Sequence, residues 1–165
     1  MEAKARLFGH PIHQALIVFP LGVLATAVIF DVIHLVTGNP RWAEVSFWMI
    51  CAGVIAGLVA APFGFIDWLG IPAGTRAKRV GLLHGVGNVV VVLLFAASWV
   101  MRRDNVTVPE TFALVLSFAG AGLALITAWL GGELVSRLGI GVAEGANVNA
   151  SSSLSGRPAR ETARG

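Results

Sequence analysis

Four long apolar runs occupy most of the chain and constrain its fold more than any other feature. They cover residues 15–36, about 45–66, 80–101 and 112–130. Each run supplies the roughly 20 residues that a helix needs to cross the ~30 Å hydrocarbon core of a bilayer. Because a backbone in lipid must satisfy its own hydrogen bonds, and because the runs lack period-2 alternation, we predict helices rather than strands. The sequence therefore predicts an all-α integral membrane protein that forms a compact bundle of four transmembrane helices.

The composition excludes most other classes of protein. Charged residues make up 13% of the 165 residues and hydrophobic residues 56%, whereas a soluble domain carries about 25% charged residues. A soluble enzyme is therefore not expected, and neither is a disordered chain, which would lack apolar residues. The single cysteine, Cys51, excludes a disulfide scaffold and cysteine-rich zinc or iron–sulfur sites. The sequence contains no nucleophile elbow, Walker loop or dinucleotide fingerprint, so it gives no indication of catalysis.

Turn-forming residues mark the ends of the predicted helices, for example Gly38 and Pro40 after the first run and Pro109 before the last. The predicted helices cover about 11–36, 42–69, 79–102 and 109–138, within a transmembrane domain of residues 1–142. After residue 142 the composition shifts to Gly, Ser, Ala and Asn, with Arg157, Arg160 and Arg164. We predict that 143–165 is a disordered cytoplasmic tail.

The basic residues predict the orientation in the membrane. An even number of spans places both termini and the loop between the second and third helices on one side, which carries Lys4, Arg6, Arg76, Lys78, Arg79 and Arg137. The other side carries Arg41, Arg102 and Arg103. By the positive-inside rule we predict cytoplasmic termini. The dispersed cations suit anionic lipid and do not form a nucleic-acid surface.

Histidines near the predicted cytoplasmic leaflet are the leading candidates for a site. His10 and His13 enter the first helix three residues apart and therefore share a face, while His84 and Asn88 are one turn apart inside the third helix. Neutral imidazole is a common ligand of haem iron, zinc and copper. Two alternatives remain open: interfacial histidines that contact water and headgroups, and a His84 that only hydrogen-bonds a neighbouring helix.

Carboxylates provide a second set of candidates. His13 and Asp31 are 18 residues apart, which is five helical turns, so they lie on one stripe that should face the bundle interior. Asp31 is then either a functional intramembrane carboxylate or the partner of Arg41, Arg102 or Arg103 at the outer surface. Asp67 and Glu133 lie on the histidine side, where Glu133 is a metal ligand, a proton acceptor or the partner of a basic residue.

Two further expectations concern helix packing. Pro20 cannot bond the carbonyl of Leu16, so it should kink the first helix. The small-residue spacings Gly53/Gly57 and Gly81/Gly85 predict close contacts inside the bundle.

Several of these motifs, taken in order, resemble a bacterial membrane family known as domain of unknown function 2231. The matching stretches are Gly9-His10-Pro11-Ile12-His13, Phe19-Pro20-Leu21-Gly22, Asp31, Asp67-Trp68, Arg79 to His84 with Asn88, Gly131 to Val135, and Gly139 to Val142. The resemblance implies a four-helix domain of the bacterial inner membrane without an established activity. Some relatives look fused to Rieske-type iron–sulfur domains, which implies a link to electron transfer. The chain departs from many relatives at Gln14, where proline is frequent, and at Ser136, where tyrosine is frequent.

The leading hypothesis is a small redox-associated subunit that binds a b-type haem or a metal ion. His13 and His84 would be the ligands and His10 a further candidate; Asn88 would line the site, and Arg76, Lys78 and Arg79 would meet haem propionates. For a metal ion, the candidate ligands are His10, His13, His84 and Glu133. Two alternatives are a proton or small-solute transport module that uses Asp31, His84 and Glu133, and a non-catalytic membrane partner of a redox protein.

Overall fold

A computed structural model describes residues 1–161, and the helical prediction is confirmed. The described α-helices are α1 (Ile12–Leu16), α2 (Val18–Thr37), α3 (Pro40–Gly70), α4 (Arg76–Met101) and α5 (Thr111–Ser136). A hairpin of β1 (Arg6–Leu7) and β2 (His10–Pro11) precedes them, and a 3-10 turn spans Ser153–Ser155. With α1 and α2 taken as one span, the described chain contains four helices that are long and apolar enough to cross a membrane.

The helix ends follow from local side-chain chemistry. Gly38, with φ of +67°, ends α2 in the left-handed conformation that glycine adopts without strain. Asn39 then caps α3, because its side chain accepts the N–H of Arg41 at 3.1 Å. Thr75 caps α4 in the same way by accepting the N–H of Lys78 at 3.1 Å. The regular helix is interrupted at Ile17, between α1 and α2. The interruption directly follows Leu16, the residue whose carbonyl Pro20 cannot bond.

The helices form an antiparallel bundle whose inner faces repeat every three or four residues. α2 packs along α3 and α4 along α5, while α3–α4 and α2–α5 contacts close the bundle and α1 lies against α3. The inner positions of α4 are Gly81, His84, Asn88, Val91, Phe95 and Ser98, and Arg102, directly after the helix, continues the series. This spacing alternates three and four, as in the heptad seams of coiled coils. An inner face that follows this repeat stacks its side chains in layers along the bundle.

Of the predicted small-residue contacts, all but one are internal. A Cβ added to Gly53 would lie 2.5 Å from Leu24, one on Gly57 3.1 Å from Val92, and one on Gly81 2.9 Å from Trp68. The prediction was wrong at Gly85, where an added Cβ would meet no described atom within 4 Å. Gly85 follows His84, and the inner seam continues at Asn88, so Gly85 points out of the bundle.

The tail begins after α5 and returns to the N-terminal segment. The backbone N–H of Glu144 donates to Glu2 Oε1 at 3.3 Å, and the amino group of Met1 donates to the Gly139 carbonyl at 2.8 Å. Between residues 143 and 161 the longest regular element is the 3-10 turn. The disorder of 143–165 stays a prediction, and Arg164 lies outside the described residues.

Both ends of the described chain and the α3–α4 connection lie at one end of the bundle, which we call the terminal end. The basic residues at the terminal end are the reason for predicting that this end is cytoplasmic. Arg102 is buried inside the bundle, so the basic residues at the opposite end are Arg41 and Arg103. Reporter fusions should therefore be cytoplasmic at Gly74 and Gly165 and periplasmic at Gly38 and Asn105. A cytoplasmic signal at Asn105 would contradict this orientation.

Candidate functional site

The terminal half of the bundle brings together two histidines that the sequence places 71 residues apart. His13 comes from α1 and His84 from α4, and both are half-buried. Their ring centroids are 6.4 Å apart and the ring planes are perpendicular. The predicted pairing of these residues across two helices is therefore present in the geometry.

Both imidazoles have the same nitrogen engaged by the backbone of a neighbouring helix. His13 Nδ1 lies 3.1 Å from the Ala60 carbonyl oxygen on α3, and His84 Nδ1 lies 2.9 Å from the Thr127 carbonyl oxygen on α5. A carbonyl oxygen can only accept, so each Nδ1 must carry the hydrogen. In a neutral ring, Nε2 then keeps a lone pair that is available to a ligand.

Asn88 and Thr127 hold His84 in place. Thr127 Oγ1 donates to Asn88 Oδ1 at 3.1 Å, and Asn88 Nδ2 donates to the His84 carbonyl at 2.8 Å. Asn88 Nδ2 is also 3.3 and 3.4 Å from the two ring nitrogens of His84. Nearly equal distances to both nitrogens place the amide against the ring, so Asn88 orients His84.

Two glycines let the neighbouring backbones approach the rings. A Cβ on Gly64 would lie 2.7 Å from His13 Cε1, and one on Gly131 would lie 3.0 Å from His84 Cε1. The space that a larger residue would occupy is therefore filled by imidazole. Neither Gly64 nor Gly131 was a predicted site residue, although each lies one turn from a carbonyl that accepts an imidazole N–H.

The other predicted site residues lie outside this pair. His10 belongs to the surface hairpin, where its Nε2 is 3.2 Å from Ser153 Oγ. Glu133 Oε1 accepts a hydrogen bond from Arg76 Nη2 at 2.6 Å. Of the three alternatives for Glu133, the structure therefore shows the ion pair with a basic residue. Residues 1–161 contain no cluster of three or more His, Cys, Asp and Glu side chains that could hold a metal ion.

Asp67 and Lys78 stabilise the terminal end through hydrogen bonds to backbone groups. Asp67 Oδ1 accepts the backbone N–H groups of Lys4 and Ala5 at 2.7 and 2.9 Å, so it anchors the N-terminal segment to α3. Lys78 Nζ donates to the Trp68 carbonyl at 2.7 Å and lies 3.8 Å from the Trp68 ring centroid. Arg79 makes no salt bridge within the described part of the chain.

A second polar layer lies toward the other end of the bundle and is centred on Asp31 and Arg102. Arg102 Nη1 and Nη2 donate to the two carboxylate oxygens of Asp31 at 2.7 and 2.8 Å. The network is completed by serines on three helices, namely Ser46, Ser98 and Ser117. All five side chains are 0% exposed. The suggested Asp31–Arg102 pairing is therefore present, but its location at the outer surface was wrong.

Burial of this ion pair follows from the inner seam of α4. Arg102 is four residues after Ser98 and occupies the next inner position, so its guanidinium points into the bundle. Its Nε donates to Ser98 Oγ at 3.2 Å, and Ser117 Oγ donates to Asp31 Oδ2 at 2.9 Å. A buried charge pair is tolerated when its remaining donors and acceptors are satisfied, and here the serines satisfy them.

An apolar layer separates the two polar layers. It consists of Leu24, Ala27, Ile50, Val91 and Phe95, none more than 6% exposed. A proton moving between His84 and Asp31 would have to cross this layer. The side chains of the layer offer neither a donor nor an acceptor for it. The two polar layers are therefore chemically separate.

Residues 9–144 match the sequence model of a family described as predicted membrane protein, DUF2231. The match covers most of the chain, so the chain belongs to this family, as its motifs predicted. No curated protein and no solved structure matches the chain.

Proposed function

We propose that this DUF2231 protein is a small membrane redox subunit whose His13 and His84 hold one transition-metal centre through their Nε2 atoms. One observation carries the proposal: both Nδ1 atoms are engaged by backbone carbonyls while the two ring centroids lie 6.4 Å apart. A histidine that binds metal through one nitrogen usually donates the other N–H to a carbonyl or carboxylate, which fixes its orientation and raises its basicity as a ligand.

The donor set favours haem iron over a bare metal ion. The 6.4 Å between the imidazole centroids is short enough that the two Nε2 atoms would be able to hold one metal centre together. A structural zinc ion needs four protein ligands, and the described residues offer no third His, Cys, Asp or Glu beside the pair. For a haem, His13 and His84 would be sufficient protein ligands, because the porphyrin itself supplies the remaining iron ligands. When bound, the group would supply one-electron transfer.

The chain's own residues have distinct parts in such a site. Thr127 and Asn88 orient His84, and the Ala60 carbonyl orients His13. Of the basic residues assigned to the propionates, Arg76 is already paired with Glu133. Arg79 is therefore the better candidate for an acidic group on the cofactor.

Transport is less well supported than redox chemistry. The apolar layer lies between the histidines and Asp31, and the Asp31–Arg102 pair is fully buried and satisfied. The remaining alternative is a structural partner of a redox protein. In that case the histidines would only join helices, because a perpendicular pair at this distance is also an ordinary edge-to-face contact.

The visible absorption spectrum tests the proposal. Protein purified from haem- and metal-replete cells should show a Soret band, and both His84→Ala and His13→Ala should abolish it. His34→Ala is the matched control, since its ring contacts Asn39 at the opposite end of the bundle, and it should leave the band unchanged. If a metal ion is bound instead, elemental analysis should find about one per chain, lost in the same variants.

Two results would contradict these assignments. A colourless and metal-free wild-type protein would exclude a bound centre and favour the structural alternative. A spectrum that survives His84→Ala would exclude His84 as a ligand.

A further inference from the structure

The N-terminal hairpin has an unusual residue at its tip. Arg6 pairs with Pro11 and Leu7 with His10, which leaves Phe8 and Gly9 as a two-residue turn. Both turn residues have positive φ, +49° for Phe8 and +83° for Gly9. Positive φ at both central positions defines the type I′ turn, whose first position is normally Asn, Asp or Gly.

Phenylalanine at this position brings backbone strain that packing within the described residues offsets only slightly. A bulky residue with positive φ is a genuine outlier, because its Cβ crowds the backbone. The Phe8 ring is 73% exposed and its neighbour Leu7 is 58% exposed. The strained aromatic therefore gains little packing within the described chain, which indicates a contact outside the protein.

Hydrogen bonds tie the hairpin to the start of the first candidate span and to α3. The N–H of Ile12, the first residue of α1, donates to the Ala5 carbonyl at 3.0 Å, and Asp67 binds the backbone of Lys4 and Ala5. The tip is three residues from Ile12, which an extended strand spans in about 10 Å. This reach is comparable with the headgroup layer, about 5–8 Å thick in each leaflet.

We propose that Leu7 and Phe8 form an interfacial anchor that inserts into the headgroup layer of the leaflet at the terminal end. Apolar side chains at the tip and a cation at Lys4 match the two components of that layer, acyl chains and anionic headgroups. Leu154 is 76% exposed and lines a surface pocket with Phe8, so the anchor also brings the 3-10 turn of the tail to the membrane. This proposal does not depend on the histidine site.

A spin label at the tip tests the anchor. In a Cys51→Ala background, Phe8→Cys carries a nitroxide, and the protein is placed in vesicles of phosphatidylcholine and phosphatidylglycerol. Oxygen, which concentrates in lipid, should relax the label at residue 8 more than a water-soluble nickel complex does. The control is Val148→Cys, since Val148 is 100% exposed on the tail, and its label should show the reverse order.

Two outcomes would overturn the anchor. One is a label at residue 8 that is as accessible to nickel as the label at residue 148. The other is a label shielded in native membranes but exposed in lipid vesicles, which would mean that a protein partner covers Phe8.

Phe8→Asn separates anchoring from folding. Asn is favoured at this turn position, so the variant should keep or raise the Tm in detergent. A spin label at Leu154→Cys should then lose its lipid contact in the Phe8→Asn protein. A Tm lowered by more than 5 °C would show that Phe8 packs within the fold, and would overturn the proposal.

Discussion

Arg102→Ala should destabilise the bundle by about 3–5 kcal/mol, because it leaves the Asp31 carboxylate buried without its partner. Asp31 is 0% exposed and has Ser117 as its other hydrogen-bond donor. A single hydroxyl cannot replace a bidentate guanidinium, so the variant must either protonate Asp31 or open the helices to water. The midpoint of SDS-induced unfolding, followed by tryptophan fluorescence in mixed micelles, measures the loss.

The adjacent arginine is the matched control for this prediction. Arg103 is exposed and makes no salt bridge among the described residues, so Arg103→Ala should shift the midpoint little. A double variant, Asp31→Leu with Arg102→Met, should recover much of the stability, since apolar replacements of a buried pair are often neutral or better. Equal midpoints for Arg102→Ala and Arg103→Ala would contradict the buried pair.

Gly53→Leu should destabilise the protein by about 1–3 kcal/mol or more, through overpacking of the α2–α3 contact. An added Cβ would lie 2.5 and 2.6 Å from Leu24 Cδ2 and Cγ. Leu24 is 6% exposed and packs with Ile50 and Phe95, so it has no empty space into which to turn. The measurement is the Tm in detergent, read from the monomer peak in size-exclusion chromatography after heating.

Gly85→Leu provides the contrast, because the side chain would enter open space outside the bundle. Its Tm should stay within a few degrees of wild type. If Gly85→Leu were as unstable as Gly53→Leu, the outward position of Gly85 would be wrong.

The sequence predicts the helices and the residues at their ends well, because both depend on local chemistry. Apolar length defines a span in lipid, and Gly38, Asn39 and Pro40 act on adjacent backbone groups. It also singled out His13, His84 and Asp31, since an ionisable residue inside an apolar run is rare enough to notice. The prediction of the four membrane-spanning helices therefore needed no knowledge of which helices are neighbours.

The contacts between helices were harder to predict for a physical reason. The acceptors for His13 and His84 are backbone carbonyls of Ala60 and Thr127, and every residue carries a carbonyl. Their role depends on helix rotation, which the side-chain types of Ala60 and Thr127 do not reveal. Arg102, in contrast, had a usable signal in the alternating spacing of three and four from Gly81 through Ser98. Following that repeat would have placed Arg102 on the inner face.

The Asp31–Arg102 pair can form only late in synthesis. The two residues are 71 positions apart, so at about 5–20 residues per second Asp31 precedes its partner by roughly 4–14 s. An aspartate at the centre of a lone helix costs about 2.5–3.5 kcal/mol to insert. Asp31 lies six residues before the end of α2, so its carboxylate can remain near the interface opposite the terminal end until Arg102 has been synthesised. We therefore expect the bundle to close around Asp31 only after the ribosome has delivered α4.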